Sequence, residues 1–153
     1  MDLILWRHAE AELQRAGQTD MDRGLTPRGE RQARRMAEWL EERLAPSTRI
    51  LVSPALRTRQ TAQALERHFE TVAALAPGAG ADDLLRAARW PRSDEPVLIV
   101  GHQPTLGLVA ARLLAGADLP SSVKKAAVWW LTQRDHDGAA QVTLLAVQGP
   151  HQL

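Results

Sequence analysis

Three short apolar runs, each followed by an amphipathic stretch, constrain the fold of this chain more than any other feature. The runs cover residues 3–6, 49–52 and 97–100. Their shortness and lack of alternation are typical of strands that are buried on both faces of a parallel sheet. Strands alternating with helices predict an α/β fold, a three-layer α/β/α sandwich with a mostly parallel central sheet.

The stretches after these runs carry signals for the beginnings and ends of helices. Thr26-Pro27 and Ser53-Pro54 each combine an N-cap residue with a proline suited to the first helical position. The apolar spacing predicts one helix that stops before Pro46, a second that runs to about residue 69, and a third that closes at Gly116.

The remaining segments give weaker predictions. Residues 71–75 suggest a further strand, and residues 82–89 a short helix. Near the C-terminus, residues 127–132 and 140–147 flank a turn-rich segment at 135–138, which predicts an antiparallel hairpin added to the sheet.

Length and composition narrow the class of protein. A chain of 153 residues is close to one ordinary domain, so we expect a single domain spanning residues 1–153. Nineteen basic and eighteen acidic residues give a net charge of +1, which does not resemble the basic footprint of a nucleic-acid binder. The apolar run at the N-terminus is too short for a signal peptide and no later run spans a membrane, so we expect a cytoplasmic protein.

Charged and titratable residues follow all three predicted strands. Arg7 and His8 come after the first, Arg57 lies in the first turn of the helix after the second, and His102 follows the third. The carboxyl ends of parallel strands meet at one edge of a sheet, where ligands bind and where helix N-termini favour anions. Two arginines and two histidines at that edge predict a phosphate pocket.

This set of residues suits phosphoryl chemistry. Guanidinium groups offer forked donors to phosphate oxygens, and a neutral imidazole nitrogen can attack phosphorus. Positive neighbours such as Arg7 and Arg57 should lower the pKa of His8 and keep it neutral, while a protonated second imidazole would stabilise the transferring group. Arg59 competes with Arg57 as the phosphate ligand, since both lie in the first turns of one helix.

A metal centre is not expected. The chain has no cysteine, and no third histidine lies at ligand spacing from His8 and His102. The neighbouring arginines would repel a cation. We therefore predict neither a metal nor another cofactor, and we expect His68, His136 and His151 at the surface.

Four segments resemble, in the same order, the motifs of the histidine phosphatase (phosphoglycerate mutase-like) superfamily. The Arg-His-Gly/Ala motif is matched by Leu5-Trp6-Arg7-His8-Ala9, and the Leu-Thr-x-x-Gly-x-x-Gln-Ala motif by Leu25-Thr26-Pro27-Arg28-Gly29-Glu30-Arg31-Gln32-Ala33. The Ser-Pro-x-x-Arg-x-x-Gln-Thr-Ala motif is matched by Ser53-Pro54-Ala55-Leu56-Arg57-Thr58-Arg59-Gln60-Thr61-Ala62. The Gly/Ser-His motif is matched by Val100-Gly101-His102. The small size most resembles the bacterial phosphohistidine phosphatase (SixA-type) branch.

This resemblance implies roles for the residues at the predicted edge. His8 would take the phosphoryl group as a phosphohistidine intermediate, and water would then release phosphate. Arg7, Arg57 and His102 would form the rest of the pocket, and the motif favours Arg57 over Arg59.

The identity of a proton donor stays open. Many relatives carry a glutamate or aspartate that protonates the leaving oxygen, and the acid-phosphatase branch has aspartate where this chain has Gln103. Asp82 and Asp83 are candidate acids from the stretch where mutase-type relatives keep theirs, although the start of a helix also explains both. The loop after His8 offers four further carboxylates, Glu10, Glu12, Asp20 and Asp22.

The lack of a clear acid points to the substrate. Expelling an alkoxide from a phosphoester needs a proton donor, whereas the imidazole of phosphohistidine leaves phosphorus readily once solvent has protonated it. We therefore favour phosphohistidine in a phosphorelay or phosphotransfer protein over a small phosphoester. A basic helix face would ordinarily be solvated but could also meet an acidic phosphoprotein; it comprises Arg28, Arg31, Arg34 and Arg35.

Two alternatives remain. One is a phosphomonoesterase or mutase for a small phosphorylated metabolite. The other is a non-catalytic phosphohistidine-binding module, against which the intact His8 argues because binding alone needs no nucleophile.

Overall fold

The computed structural model describes residues 1–135 and 137–153, and these form one six-stranded sheet with helices on both faces. The strands are β1 (Asp2–Arg7), β2 (Arg49–Val52), β3 (Glu70–Thr71), β4 (Val97–Gly101), β5 (Val128–His136) and β6 (Ala139–Gln148). The helices are α1 (Pro27–Glu41), α2 (Leu56–Gln63), α3 (Ala81–Ala88) and α4 (Thr105–Ala115). Short 3-10 helices lie at Asp20–Asp22, Ala73–Leu75 and Pro150–Gln152.

The order of the strands in the sheet is β3-β2-β4-β1-β5-β6. The first four are parallel, and β5 and β6 form an antiparallel hairpin on the side of β1. The prediction of a mostly parallel three-layer sandwich with a C-terminal hairpin is confirmed.

Both faces of the central strands are buried, which explains the continuous apolar runs. Ile4 and Trp6 of β1 pack in the core with α1 and α2. Leu3 and Leu5, on the opposite face of the same strand, pack in the core with α3 and α4. Because successive strand residues point to opposite faces, a strand between two helical layers must be apolar at every position.

The start of α1 and the end of α4 agree with the sequence signals. Thr26 is the N-cap of α1, and its hydroxyl accepts a hydrogen bond of 2.9 Å from the Gly29 amide. Gly116 caps α4 in the left-handed conformation, with φ of 76°. α1 ends at Glu41, however, short of the predicted stop before Pro46.

The second helix was predicted wrongly at both ends. α2 ends at Gln63 rather than near residue 69, and Glu66 takes a left-handed conformation with φ of 54°. Leu65 and Phe69 still pack against the core, so the apolar spacing continues although the helix does not. At the other end Ala55, and not Ser53, is the N-cap residue.

The weaker predictions were partly right. The strand expected at 71–75 is the two-residue β3, followed by a 3-10 helix, while α3 lies within one residue of the predicted 82–89. The hairpin strands are longer than predicted. No helix in the described part of the chain has both the length and the apolarity to cross a bilayer.

Candidate active site

Three parallel strands end side by side at one edge of the sheet. Arg7, the last residue of β1, pairs with Gly101 of β4, and Val52 of β2 pairs with Val100. The residues that follow the strands are therefore neighbours. This pairing brings His8, Ser53 and His102 together.

The backbone of His8 is still held by the sheet. Its amide donates to the Gly101 carbonyl at 3.2 Å, and its carbonyl accepts from the Ala126 amide at 3.0 Å. The residue is 6% exposed. The position of the predicted nucleophile is thus set by strand neighbours rather than by a free loop.

One hydrogen bond selects the tautomer of the His8 ring. Nδ1 lies 2.7 Å from the carbonyl oxygen of Ala9. A carbonyl only accepts, so Nδ1 carries the proton and the lone pair is on Nε2. Among the described residues, no protein group bonds to Nε2.

The electrostatic surroundings keep this ring neutral. Burial is the largest cause and lowers the pKa of His8 to about 3; the hydrogen bond to the Ala9 carbonyl, the next largest, acts in the opposite direction, and His102, then Arg57 and Arg7, lower the pKa further. The imidazole is therefore unprotonated at neutral pH and its Nε2 lone pair is available.

A hydroxyl on α2 braces the segment that holds His8. The Ala9 amide donates to Thr61 Oγ1 at 3.0 Å, and the same hydroxyl donates to the Arg57 carbonyl at 2.8 Å. Thr61 is completely buried. The helix that carries Arg57 therefore also fixes the carbonyl that orients the His8 ring.

The two arginines are incompletely hydrogen-bonded. Arg57 is 4% exposed and donates to the Asp20 carbonyl at 2.8 Å and to its carboxylate at 3.0 Å. Arg7 donates to the Val123 carbonyl at 3.1 Å, and burial lowers its pKa. The Nε of each arginine is buried and has no partner in the described residues. An anion that reached these N–H donors would not have to replace a hydrogen bond within the protein.

His102 completes the group. Its Nε2 lies 2.7 Å from Ser53 Oγ, and its ring centroid is 5.4 Å from that of His8. Burial and then Arg57 lower its pKa to about 4, although Asp20 acts in the opposite direction. These causes favour a neutral ring, and a phosphoryl dianion beside it would oppose them.

Glu10 ties the loop after His8 to the start of α1. Its amide donates to Gln32 Oε1 at 3.0 Å, and its carboxylate accepts from the Thr26 hydroxyl at 2.7 Å. A Cβ at Gly29 would lie 2.0 Å from the Glu10 carbonyl oxygen, so only glycine fits there. The threonine, glycine and glutamine of the second sequence motif thus position the loop.

The carboxylates lie in different surroundings. Hydrogen bonding from Arg23, and then from Arg57, lowers the pKa of Asp20, which favours its ionised form. Asp82 pairs with Arg112, and Asp83 accepts from the Gly80 amide at 2.9 Å. Neither contacts Arg7, His8, Arg57 or His102 within the described structure. Their assignment as candidate acids gains no support from these contacts.

Two other sequence expectations are resolved in structural terms. The Gln103 side chain donates to the Ser121 carbonyl at 2.7 Å and accepts from the Gly107 amide at 2.8 Å, so both of its ends bind backbone. Arg59 donates to the Pro54 carbonyl at 3.1 Å. Arg57, and not Arg59, is the arginine of this helix whose charge lowers the pKa of His8 and of His102.

Three further histidines were expected at the surface. His68 and His151 are exposed, as expected, and His136 lies outside the described residues. Within residues 1–135 and 137–153, no three histidine, cysteine, aspartate or glutamate side chains are grouped so as to hold a metal ion.

Sequence reasoning missed Ser53 and Thr61 and left Asp20 undecided among four carboxylates. Ser53 was interpreted as a helix cap, but its place at the end of a buried strand was a signal that its hydroxyl faces the same edge as His8. Thr61 lies one turn after Arg57, on the same side of α2. No local signal distinguishes Asp20.

Comparison with known proteins identifies the family of this chain. The sequence model of the histidine phosphatase superfamily (branch 1) matches residues 3–78. The phosphohistidine phosphatase SixA of Escherichia coli is 33% identical over 129 residues, which cover 78% of this chain and 78% of the relative. The phosphohistidine phosphatase SixA homolog of Haemophilus influenzae is 30% identical over 128 residues, covering 74% and 77%.

A solved structure covers the whole fold. The protein histidine phosphatase SixA complexed with tungstate has a TM-score of 0.78 and 27% identity, and the match covers 99% of both chains. The sequence relatives and this structural match together establish that the chain belongs to the histidine phosphatase superfamily and is a hydrolase of the histidine-phosphatase type.

Proposed function

We propose that this protein dephosphorylates phosphohistidine in a protein, with His8 as the nucleophile. The observation that carries the proposal is the hydrogen bond between His8 Nδ1 and the Ala9 carbonyl, because it leaves a neutral Nε2 lone pair in a pocket with two arginines. Arg7, Arg57 and His102 bind the phosphoryl oxygens.

In the first step, His8 Nε2 attacks phosphorus and the P–N bond of the substrate breaks. The leaving imidazole takes the bonding pair and departs as a neutral ring, because its other nitrogen takes a proton from solvent. His8 becomes an N-phosphorylated imidazolium whose Nδ1–H still donates to Ala9. The arginines offset the charge on the equatorial oxygens.

In the second step, water attacks the phosphorus of phosphorylated His8. The P–Nε2 bond breaks, its electron pair returns to Nε2, and the proton lost by the water leaves with phosphate or to solvent. The ring is restored to the tautomer that the Ala9 carbonyl selects.

The states of Asp20 and Gln103 support a phosphoramidate substrate over a phosphoester. A general acid must carry a proton at working pH, whereas the lowered pKa of Asp20 keeps it ionised. Gln103 has no proton to give and binds backbone at both ends. A phosphohistidine ring needs no such donor, and the relatives named SixA are phosphohistidine phosphatases.

Trapping the intermediate tests the mechanism. The native protein and His8→Ala are mixed with a ³²P-labelled phosphohistidine peptide and quenched in alkali, which preserves phosphohistidine. We expect label on the native chain and none on the variant. Label that persists on His8→Ala, or turnover without any labelled enzyme, contradicts a covalent role for His8.

The substrate class is tested separately. A phosphohistidine peptide is compared with a panel of sugar phosphates and phosphoserine under identical conditions. We expect kcat/KM to be highest for the phosphohistidine peptide. Faster turnover of a phosphomonoester would instead indicate a metabolite phosphatase or mutase, and binding without turnover of any substrate would indicate a binding module.

A further inference from the structure

A groove of about 670 Å³ opens beside the phosphate pocket. It lies on the side of β1 away from β4, where β5 begins and β6 ends. Since β5 and β6 are antiparallel, these two ends lie at the same sheet edge as His8. Arg7 lines the groove and its charge also acts on His8, so the groove adjoins the phosphate pocket.

The groove is rimmed by positive charge. Besides Arg7 it is lined by Arg28, Lys124 and Lys125. Both lysines are exposed, and neither forms an ion pair with any described residue. Among the described residues that line the groove, the one carboxylate is that of Glu10, which is already engaged by the Thr26 hydroxyl at 2.7 Å and by Arg28 at 3.6 Å.

This charge is local rather than a property of the whole chain. The chain has a net charge of only +1. A smaller depression of about 260 Å³ extends the strip along α1, where Arg31 and Arg35 join Arg28. Three of the four arginines of the basic helix face, Arg28, Arg31 and Arg35, therefore border the groove or this depression.

One wall of the groove is apolar. Trp129 and Val147 are directly opposite each other on β5 and β6, and both line it. Val147 is 54% exposed. Pro150 closes the end, where Arg35 donates to its carbonyl at 3.4 Å. An apolar wall with a cationic rim suits a peptide segment with apolar and acidic side chains.

We infer that this groove binds acidic residues that flank the phosphohistidine of the protein substrate. The inference rests on the proposed function, since a phosphohistidine held at His8 brings its own chain to Arg7. Free phosphate or free phosphohistidine would fill only the pocket, so neither would contact Lys124 or Lys125. The groove thus selects among phosphohistidine proteins, while the pocket performs the chemistry.

Matched peptides test this inference. Two phosphohistidine peptides of equal length carry either glutamate or glutamine at the flanking positions, and free phosphohistidine is the third substrate. At low salt we expect the native protein to prefer the glutamate peptide by about tenfold in kcat/KM, mainly through KM. Lys124→Glu/Lys125→Glu should remove that preference and leave the turnover of free phosphohistidine unchanged.

A matched control distinguishes the effect of charge at the groove from the effect of the net charge of the chain. Arg86→Glu/Arg92→Glu makes the same change of net charge at exposed positions on and just beyond α3, and it should keep the native preference. If the lysine variant keeps its preference for glutamate, or loses activity equally on all three substrates, the groove is not a docking surface for acidic flanks.

The result also distinguishes the groove from the proposed function. If the native protein hydrolyses none of the three substrates, the phosphohistidine assignment fails. If it hydrolyses all of them without a glutamate preference, only the groove inference fails. Stronger inhibition by a single-stranded oligonucleotide than by an unphosphorylated glutamate peptide would overturn the assignment of the groove to an acidic protein segment.

Discussion

Arg57 and Arg112 are both paired with aspartate, but they lie in opposite environments. The side chain of Arg57 is buried and its Nε has no partner in the described residues, while two of its nitrogens bind Asp20. Arg112 is partly exposed, and three of its nitrogens bind carboxylates: Nε and one terminal nitrogen bind Asp118 at 2.6 Å, and the other binds Asp82.

The difference separates a site from a surface cluster. Hydrogen bonding to Asp118 and Asp82 raises the pKa of Arg112 and uses its donors, so little remains for a ligand. The buried Nε of Arg57 has no hydrogen-bond partner in the described residues, and the lowered pKa values of His8 and His102 keep both neighbouring rings neutral. Ion pairing therefore does not distinguish the two arginines, whereas burial combined with an unused donor does.

Removing each arginine tests the comparison most strongly. Arg57→Ala should lower kcat/KM for phosphohistidine by roughly 10²- to 10³-fold, as for the loss of one preorganised donor to the transition state. Arg112→Ala should stay within about twofold, because exposed pairs contribute little. Steady-state kinetics with circular dichroism to confirm folding measures both. Equal losses in the two variants would show that the pocket is not distinguished from the surface.

The second prediction concerns stability against pH. In the unfolded chain a histidine ring has a pKa of about 6.5. In the folded protein the pKa is lowered to about 3 for His8 and to about 4 for His102. The unfolded state therefore gains protons first, so stability that is complete above pH 6.5 is lost as the pH falls. Each ring should remove up to about 1.4 kcal/mol per pH unit between pH 6 and 4.

Urea unfolding at pH 7 and pH 5 measures this slope. His8→Asn/His102→Asn should flatten it, and His151→Asn, at an exposed position, should not. The exposed Asp118 differs because its lowered pKa means that its pairing with Arg112 is lost only at still lower pH. An unchanged slope in the double variant would contradict the assignment of buried neutral rings.

Thr61→Val should have an intermediate effect. The substitution keeps the shape but leaves the Ala9 amide without its acceptor, which should cost about 1–3 kcal/mol of stability. Since Ala9 orients the His8 ring, kcat should fall by about tenfold. Thr61→Ser restores the hydroxyl and should recover most of the rate. A loss of stability with kcat unchanged would leave Thr61 with a purely structural role.

The smallest effects are expected at Asp82 and Asp83. Because the Asp82 carboxylate is committed to Arg112 and Asp83 to the Gly80 amide, Asp82→Asn and Asp83→Asn should each change kcat for a phosphohistidine peptide by less than about twofold. Initial rates across pH 5 to 8 give the comparison. A loss of tenfold or more at either position would identify it as the missing proton donor.

Much of the fold was predictable because burial on both faces leaves apolar runs that are visible in the sequence. The convergence of His8, Arg57 and His102 followed from strand order, since parallel strands share an edge. The end of α2 was not predictable, because Leu65 and Phe69 continue the apolar spacing after the helix ends. Propensity and periodicity describe what a segment buries, not where its hydrogen bonds stop.

Other parts depend on contacts between distant segments. Asp20 reaches Arg57 across 37 positions of sequence, and nothing near it distinguishes it from the other carboxylates of its loop. The groove was also hidden, because it requires the register between β5 and β6 and the position of the C-terminal 3-10 helix. Sequence patterns identify elements, and tertiary pairing then decides which polar groups meet.

The backbone hydrogen bonds that hold His8 beside its neighbouring strands have a consequence for protein engineering. Its two backbone hydrogen bonds connect it to Gly101 and Ala126, so we expect side chains elsewhere on the rim to be replaceable without displacing the proposed nucleophile. A combinatorial library confined to Lys124, Lys125, Trp129 and Val147 would therefore diversify recognition on an invariant reaction centre. New specificities should then be selectable without rebuilding the catalyst.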